Sequence, residues 1–225
     1  MSGFTVVYDA NVLYPSMLRD ILIRLAGTGI FQARWTDQIL DEVFRNLQAN
    51  RPDLAPEKLR RTRELMFLAV DDCLVTGYEE LIGSLHLPDP DDRHVLAAAI
   101  RCGAQVIVTE NKRDFPSEVM DGYGIEIQGA DEFLCDQIDL FGPRVHQAIT
   151  YAAAAFRNPP RTIDDVLDAL ARSGAPLCRG APATIKLCPA YRPSKTPVQR
   201  PRQSQSQHHG GGSSRQHQCA GGSRN

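Results

Sequence analysis

Apolar and polar positions alternate along this chain in blocks that read as short strands and amphipathic helices. Residues 4–8 (FTVVY) form a β-branched, apolar run that ends abruptly at Asp9, the pattern of a buried strand with a carboxylate at its C-terminal end. From Pro15 to about Leu25 the apolar positions Leu18, Ile21, Leu22 and Leu25 take helical spacing, and Gly27 and Gly29 end the run. Thr36 and Asp37 offer an N-cap for a second helix through about Leu47, with a stripe of Ile39, Leu40, Val43, Phe44 and Leu47. Pro52 breaks the chain. A third helix is predicted from Pro56 to about Val70, then a short strand near Cys73–Thr76 and a turn of helix near Glu79–Ile82.

The clearest stretch follows. LPDPDD (87–92) is an acidic, proline-punctuated entry to a helix, HVLAAAIRC, that stops at Gly103. QVIVT (105–109) reads as another buried strand and runs into the polar loop ENKRDFP (110–116). YGIEIQ (123–128) predicts a further strand, and Asp131–Cys135 begins a helix. Residues 141–173 read as helical, broken at Pro159–Pro160 and resumed behind the cap residue Thr162. Strands alternating with helical crossovers predict an α/β fold, a parallel sheet flanked by helices. The expected organisation is a body over 1–136, a C-terminal helical extension over 137–175, and a low-complexity tail over 176–225.

Charge sharpens that division. The 225 residues hold 25 Lys+Arg and 27 Asp+Glu, but residues 176–225 carry eight basic residues and no acid. Residues 1–175 are left with 17 basic against 27 acidic residues, a net of −10. That is the wrong sign for holding nucleic acid by phosphate contacts alone, and it suits a body that gathers carboxylates around metal ions. The tail, rich in Pro, Gly, Ser and Gln, has too few apolar residues to offset ordering entropy, so disorder is expected there. No apolar run approaches the roughly 20 residues that span a bilayer. The start of the chain lacks a secretory pattern, so no membrane association and a cytoplasmic location are expected. The six cysteines (73, 102, 135, 178, 188 and 219) show no C-x-x-C pair and are read as thiols.

Parallel sheets place ligands beyond the carboxyl ends of their strands. Asp9 lies at such an end, as do Glu110, Asn111 and Asp114 after 105–109, while Asp89, Asp91 and Asp92 open the helix leading into that strand. Carboxylates crowded together raise one another's pKa unless a cation neutralises them. Mg²⁺, or Mn²⁺, with oxygen ligands fits such a set, and the chemistry it serves is phosphodiester hydrolysis. Each acid alone also has an ordinary reading, as a cap, a turn residue or a solvated face.

The order VVYDANVL (6–13), ILDEVFRNL (39–47), DPDDRHVLAAAI (89–100) and VIVTENKRDFP (106–116) resembles the PIN-domain ribonucleases, and within them the VapC-type toxins of type II toxin–antitoxin pairs. The resemblance spans about 4–135, and RNPPRTIDDVLDALARSG looks like the C-terminal extension of one subgroup. It implies that Asp9, Glu42, Asp92 and Asp114 are the catalytic, metal-holding acids. Asn11, Thr109 and Asn111 are implied as supporting residues, with Asp91 the alternative to Asp92. It further implies Mg²⁺-dependent cleavage of RNA leaving a 5′-phosphate, a small antitoxin partner, and homodimerisation. Arg60, Arg61, Arg63, Lys112 and Arg113 are the candidate substrate-binding cations. A phosphatase with a nucleophilic Asp9 is a poorer reading, because such enzymes want an acid where Asn11 stands. A degenerate nuclease fold serving as an RNA- or protein-binding module is the non-enzymatic alternative.

Overall fold

A computed structural model describes residues 3–177, all within one compact unit; the expected tail disorder falls almost wholly outside the described residues. Four parallel strands form one sheet in the order β2-β1-β3-β4: β1 (Thr5–Tyr8), β2 (Gln32–Arg34), β3 (Val106–Val108) and β4 (Glu126–Gln128). The helices in chain order are α1 (Ala10–Leu13), α2 (Ser16–Ala26), α3 (Asp37–Asn50), α4 (Pro56–Ala69), α5 (Glu79–Ile82), α6 (Arg93–Cys102), α7 (Ser117–Met120), α8 (Ala130–Ala155) and α9 (Ile163–Arg172). The α/β fold with a helix-flanked parallel sheet is the one the alternating pattern predicts.

Helices over a parallel sheet leave its central strands no solvent face. Accordingly Val6, Val7 and Tyr8 of β1 and all three residues of β3 are buried. The Tyr8 ring stacks on Trp35 (centroids 6.4 Å, planes 11° apart) and meets Phe133 edge-on at 6.2 Å, so β1, the end of β2 and α8 share one aromatic core. Residues 6–8 pair in register with 106–108, which brings both strand ends to the same edge of the sheet.

Several elements differ from expectation. β2 was not predicted; its sequence QAR is short and polar, and parallel pairing to β1 makes it a strand. The strand expected at 73–76 is a single bridge, with the Trp35 amide donating to the Cys73 carbonyl (2.9 Å) and Val75 to that of Trp35 (2.9 Å). The strand expected at 123–128 is confined to 126–128, because a 3₁₀ turn over Asp121–Tyr123 and left-handed Gly124 (φ 65°) occupy its start. α8 runs through the region expected as two helices, with a kink at Phe141 (φ −137°, ψ 36°). Pro143 sits just past that kink, in the first turn of the second half, where a missing N–H leaves no helical bond unmade. α8 and α9 lie against α2, burying Val145, Ile149, Val166 and Leu170. Cys73 and Cys102 are free thiols, whereas Cys135, also expected as a thiol, is in a disulfide.

Candidate metal centre

The sheet edge at the ends of β1 and β3 positions the site. β1 stops at Tyr8, and the next residue, Asp9, N-caps α1, its Oδ1 accepting from the Ala10 amide at 2.6 Å. Its Oδ2 accepts from Asn11 Nδ2 (2.6 Å) and from the Thr109 hydroxyl (2.6 Å), which lies at the end of β3. The Thr109 hydroxyl in turn accepts from Asn11 Nδ2 (2.9 Å) and from the Asn111 amide (3.0 Å). Asn11 Oδ1 accepts from the Glu110 amide at 3.0 Å. Asn11, Thr109 and Asn111 thus form a lattice that orients one buried carboxylate, itself 3% exposed.

Around Asp9 stand the other acids. Burial raises the Asp9 pKa; the bonds from Thr109, Ala10 and Asn11 pull it back, and the charge of Asp114 raises it again. Glu42, half-buried on α3, is raised by burial and by Asp9, with Asp91 and Asp89 adding to the effect and Arg45 opposing it. Asp92 is pushed up to about 7 by burial and by Asp9, Asp114, Asp89 and Glu42. One oxygen of that carboxyl, Oδ2, is buried without a hydrogen-bond partner. Asp92 therefore feels the charge of Asp9, Glu42 and Asp114, which come from three other parts of the chain. An all-oxygen set with one orphaned carboxylate oxygen, Asp92 Oδ2, fits a hard divalent cation such as Mg²⁺ or Mn²⁺. Among the described residues, no three Asp, Glu, His or Cys side chains already stand together as a ready metal site. The acids converge without being drawn into ligating distance.

Neighbouring acids divide into different tasks. Asp89 caps the 3₁₀ turn Pro90–Asp92, accepting from the Asp91 amide at 2.8 Å. Asp91 is exposed, whereas Asp92 is half-buried and feels both Asp9 and Asp114. Asp41, beside Glu42, is ion-paired to Arg63 and belongs to the α3–α4 contact. Asp114 ends a 3₁₀ turn whose next residue, Phe115, is buried and anchors the loop. Glu110 accepts from the Ala130 amide (2.8 Å) and so caps α8 rather than joining the acids.

The candidate cations separate too. Arg63 pairs with Asp37 (2.6 Å) and Asp41, and Arg61 with Glu64 (3.0 Å). Arg60 and Arg113 are exposed, and Lys112 pairs with Glu132. Sequence reasoning passed over His94, which is 5% exposed with Nε2 4.0 Å from Glu42 Oε2 and a buried, unpartnered Nδ1. Burial lowers the imidazole pKa, so at neutral pH a neutral ring faces the carboxylate and no ion pair forms. The only signal was a lone histidine inside an Ala-rich apolar run, which reads as core.

Residues 5–113 match a family model described as PIN domain, and residues 130–179 match one described as VapC50 C-terminal domain. Over residues 5–113 the chain is similar to the PIN-domain family. A protein of Mycobacterium tuberculosis (strain ATCC 25618 / H37Rv) named "Putative ribonuclease VapC50" is 42% identical over 94 residues, which are 42% of this chain. The match covers 55% of that relative's length, so the chain spans about half of the curated protein it resembles. No solved structure matches the chain. The PIN match encloses Asp9, Glu42 and Asp92 and stops one residue short of Asp114. Among the described residues no helix is long and apolar enough to cross a membrane.

Proposed function

We propose that the protein is a metal-dependent endoribonuclease, the toxin of a toxin–antitoxin pair, and that Asp9, Glu42, Asp92 and Asp114 hold its Mg²⁺ or Mn²⁺. The observation that carries this reading is the crowding of acids around Asp92, whose carboxyl is pushed up to about 7 by burial and by the charges of Asp9, Asp114, Asp89 and Glu42. Such crowding destabilises a fold unless a cation or a proton relieves it. The family match and the name of the relative support the same reading.

Each residue has a part. Asp9, fixed by Thr109 and Asn11, presents a carboxylate that cannot swing away. Asp92 and Asp114 reach the same space from the start of α6 and from the loop after β3, and Glu42 closes it from α3. When bound, a divalent cation supplies charge neutralisation at the scissile phosphate and an activated water. The four carboxylates would hold that cation and orient the attacking water, and the bound charge would relieve the crowding that raises Asp92. In the proposed pair, a small antitoxin covers this acidic bowl.

Incubation of the full chain with total RNA, in Mg²⁺ or in EDTA, with mapping of the cut ends, tests the proposal. We expect cleavage in Mg²⁺ alone, 5′-phosphate ends, and loss of at least about 100-fold in Asp9→Asn with folding intact. Cleavage by Asp9→Asn at the parent rate would overturn the assignment.

A further inference from the structure

An acidic bowl repels the strand it is proposed to cut, so attraction must come from its border. Beside the bowl lies a groove of about 440 Å³ between α3 and α4, whose lining includes Phe44, Arg45, Leu59, Arg60 and the Asp41–Arg63 ion pair. Arg45 follows Glu42 by three residues, so the two side chains share a face of α3. Arg45 also lines the groove, so that shared face of α3 sets it at the boundary between bowl and groove. Across the groove, Arg60 projects from α4.

The ion-pair pattern singles out these two arginines. Three of the five arginines on or beside α3 and α4 are already ion-paired: Arg51 with Asp53, Arg61 with Glu64, and Arg63 with Asp37 and Asp41. Among the described residues, neither Arg45 nor Arg60 enters an ion pair, although residues 1–175 carry a net charge of −10. Both side chains are exposed, and the half-buried ring of Phe44 lies between their helices. A channel with unpaired guanidinium groups and an aromatic face is the kind of surface that tracks a single strand by its phosphates and stacks a base.

We propose that the α3–α4 groove carries the RNA strand flanking the scissile bond, with Arg45 and Arg60 holding successive phosphates and Phe44 beneath a base. The inference rests on the ribonuclease reading and adds to it the direction in which the substrate leaves the site. It moves substrate contact from Arg61 and Arg63 to Arg45, a residue without an obvious sequence signal.

The test uses the full chain carrying Asp9→Asn, so that substrate is not consumed, and a fluorescein-labelled single-stranded RNA oligonucleotide. Anisotropy titrations across a salt series give the dissociation constant and its salt slope. Arg45→Ala and Arg60→Ala are each expected to weaken binding about 3- to 10-fold and to lower the slope by about 0.7, the value for one phosphate contact on a single strand. Arg45→Lys should retain the slope. Unchanged affinity and slope in both alanine variants would overturn the groove assignment, while RNA cleavage by the parent would leave the ribonuclease reading standing. Displacement of the RNA by a poly-glutamate peptide at equal concentration would also overturn it, in favour of an acidic protein partner. A parent that neither cleaves nor binds RNA at low salt overturns the function on which the inference rests.

Discussion

Asp9 takes its orientation from Thr109, a donor 100 residues away, and that bond exists only because β1 and β3 pair in parallel register. Replacing Thr109 by Val keeps the shape and removes the donor. Partners that orient a ligating carboxylate typically contribute 10–100-fold in metal affinity or activity. Thr109→Val is therefore expected to weaken Mn²⁺ binding by about that factor, measured by calorimetry, with little change in the unfolding midpoint. The crowding of the acids predicts a pH dependence as well. Asp9, Glu42 and Asp92 have pKa values raised in the folded state, Asp92 from 3.8 to about 7. Between those values the folded protein binds more protons than the unfolded chain, so stability falls as pH rises through that window. Thermal unfolding in EDTA from pH 4 to pH 8 should show this decline, and Asp92→Asn should flatten it. Parallel profiles for parent and variant would contradict the electrostatic account. The sequence made Asp9, Asn11 and the Thr109–Asp114 loop legible because strand ends mark them. It left His94 and Arg45 unmarked, because neither burial beside a distant glutamate nor the absence of an ion pair is written in local pattern.

At the level of elements, β1, β3 and α6 were legible for one reason. Each is nearly all apolar and is bounded by a charge or by Gly103, so period and length agree. β2 and α1 were not. The first is a polar edge strand made by pairing, and the second is a single turn whose cap, Asp9, reads equally well as a strand terminus. The arginines of α4 illustrate a different limit: spacing put Arg60, Arg61 and Arg63 near one another but did not reveal which of them α3 would neutralise. Arg63 joins α4 to α3 through two carboxylates. Arg63→Ala is expected to lower stability by about 1 kcal/mol, as for a partly shielded ion-pair network, and to weaken RNA binding less than Arg45→Ala does. Chemical denaturation and the anisotropy titration separate the two effects. The α8–α9 extension should behave as part of the folded unit. Leu170 is fully buried against it, so Leu170→Ala is expected to cost about 2–5 kcal/mol in a single unfolding transition. An early transition belonging to the extension alone would show that it is only loosely attached.

Across the whole molecule, charge is distributed by purpose. Arginines and aspartates pair over the helices, while the sheet edge collects Asp9, Glu42, Asp92 and Asp114 with little to balance them. A protein that keeps such a set through folding gains from a ligand that only the folded state can bind. At a free concentration about 100 times its dissociation constant, that ligand adds about 2.7 kcal/mol of stability. The central claim is that these four acids act as one cation-binding unit, and Mn²⁺ titration of the full chain, with Asp9→Asn, Asp92→Asn and Asp114→Asn alongside, tests it most directly. The account predicts saturable binding by the parent and a loss of at least about tenfold in affinity in each variant. Saturable binding of equal strength in all four proteins would contradict it.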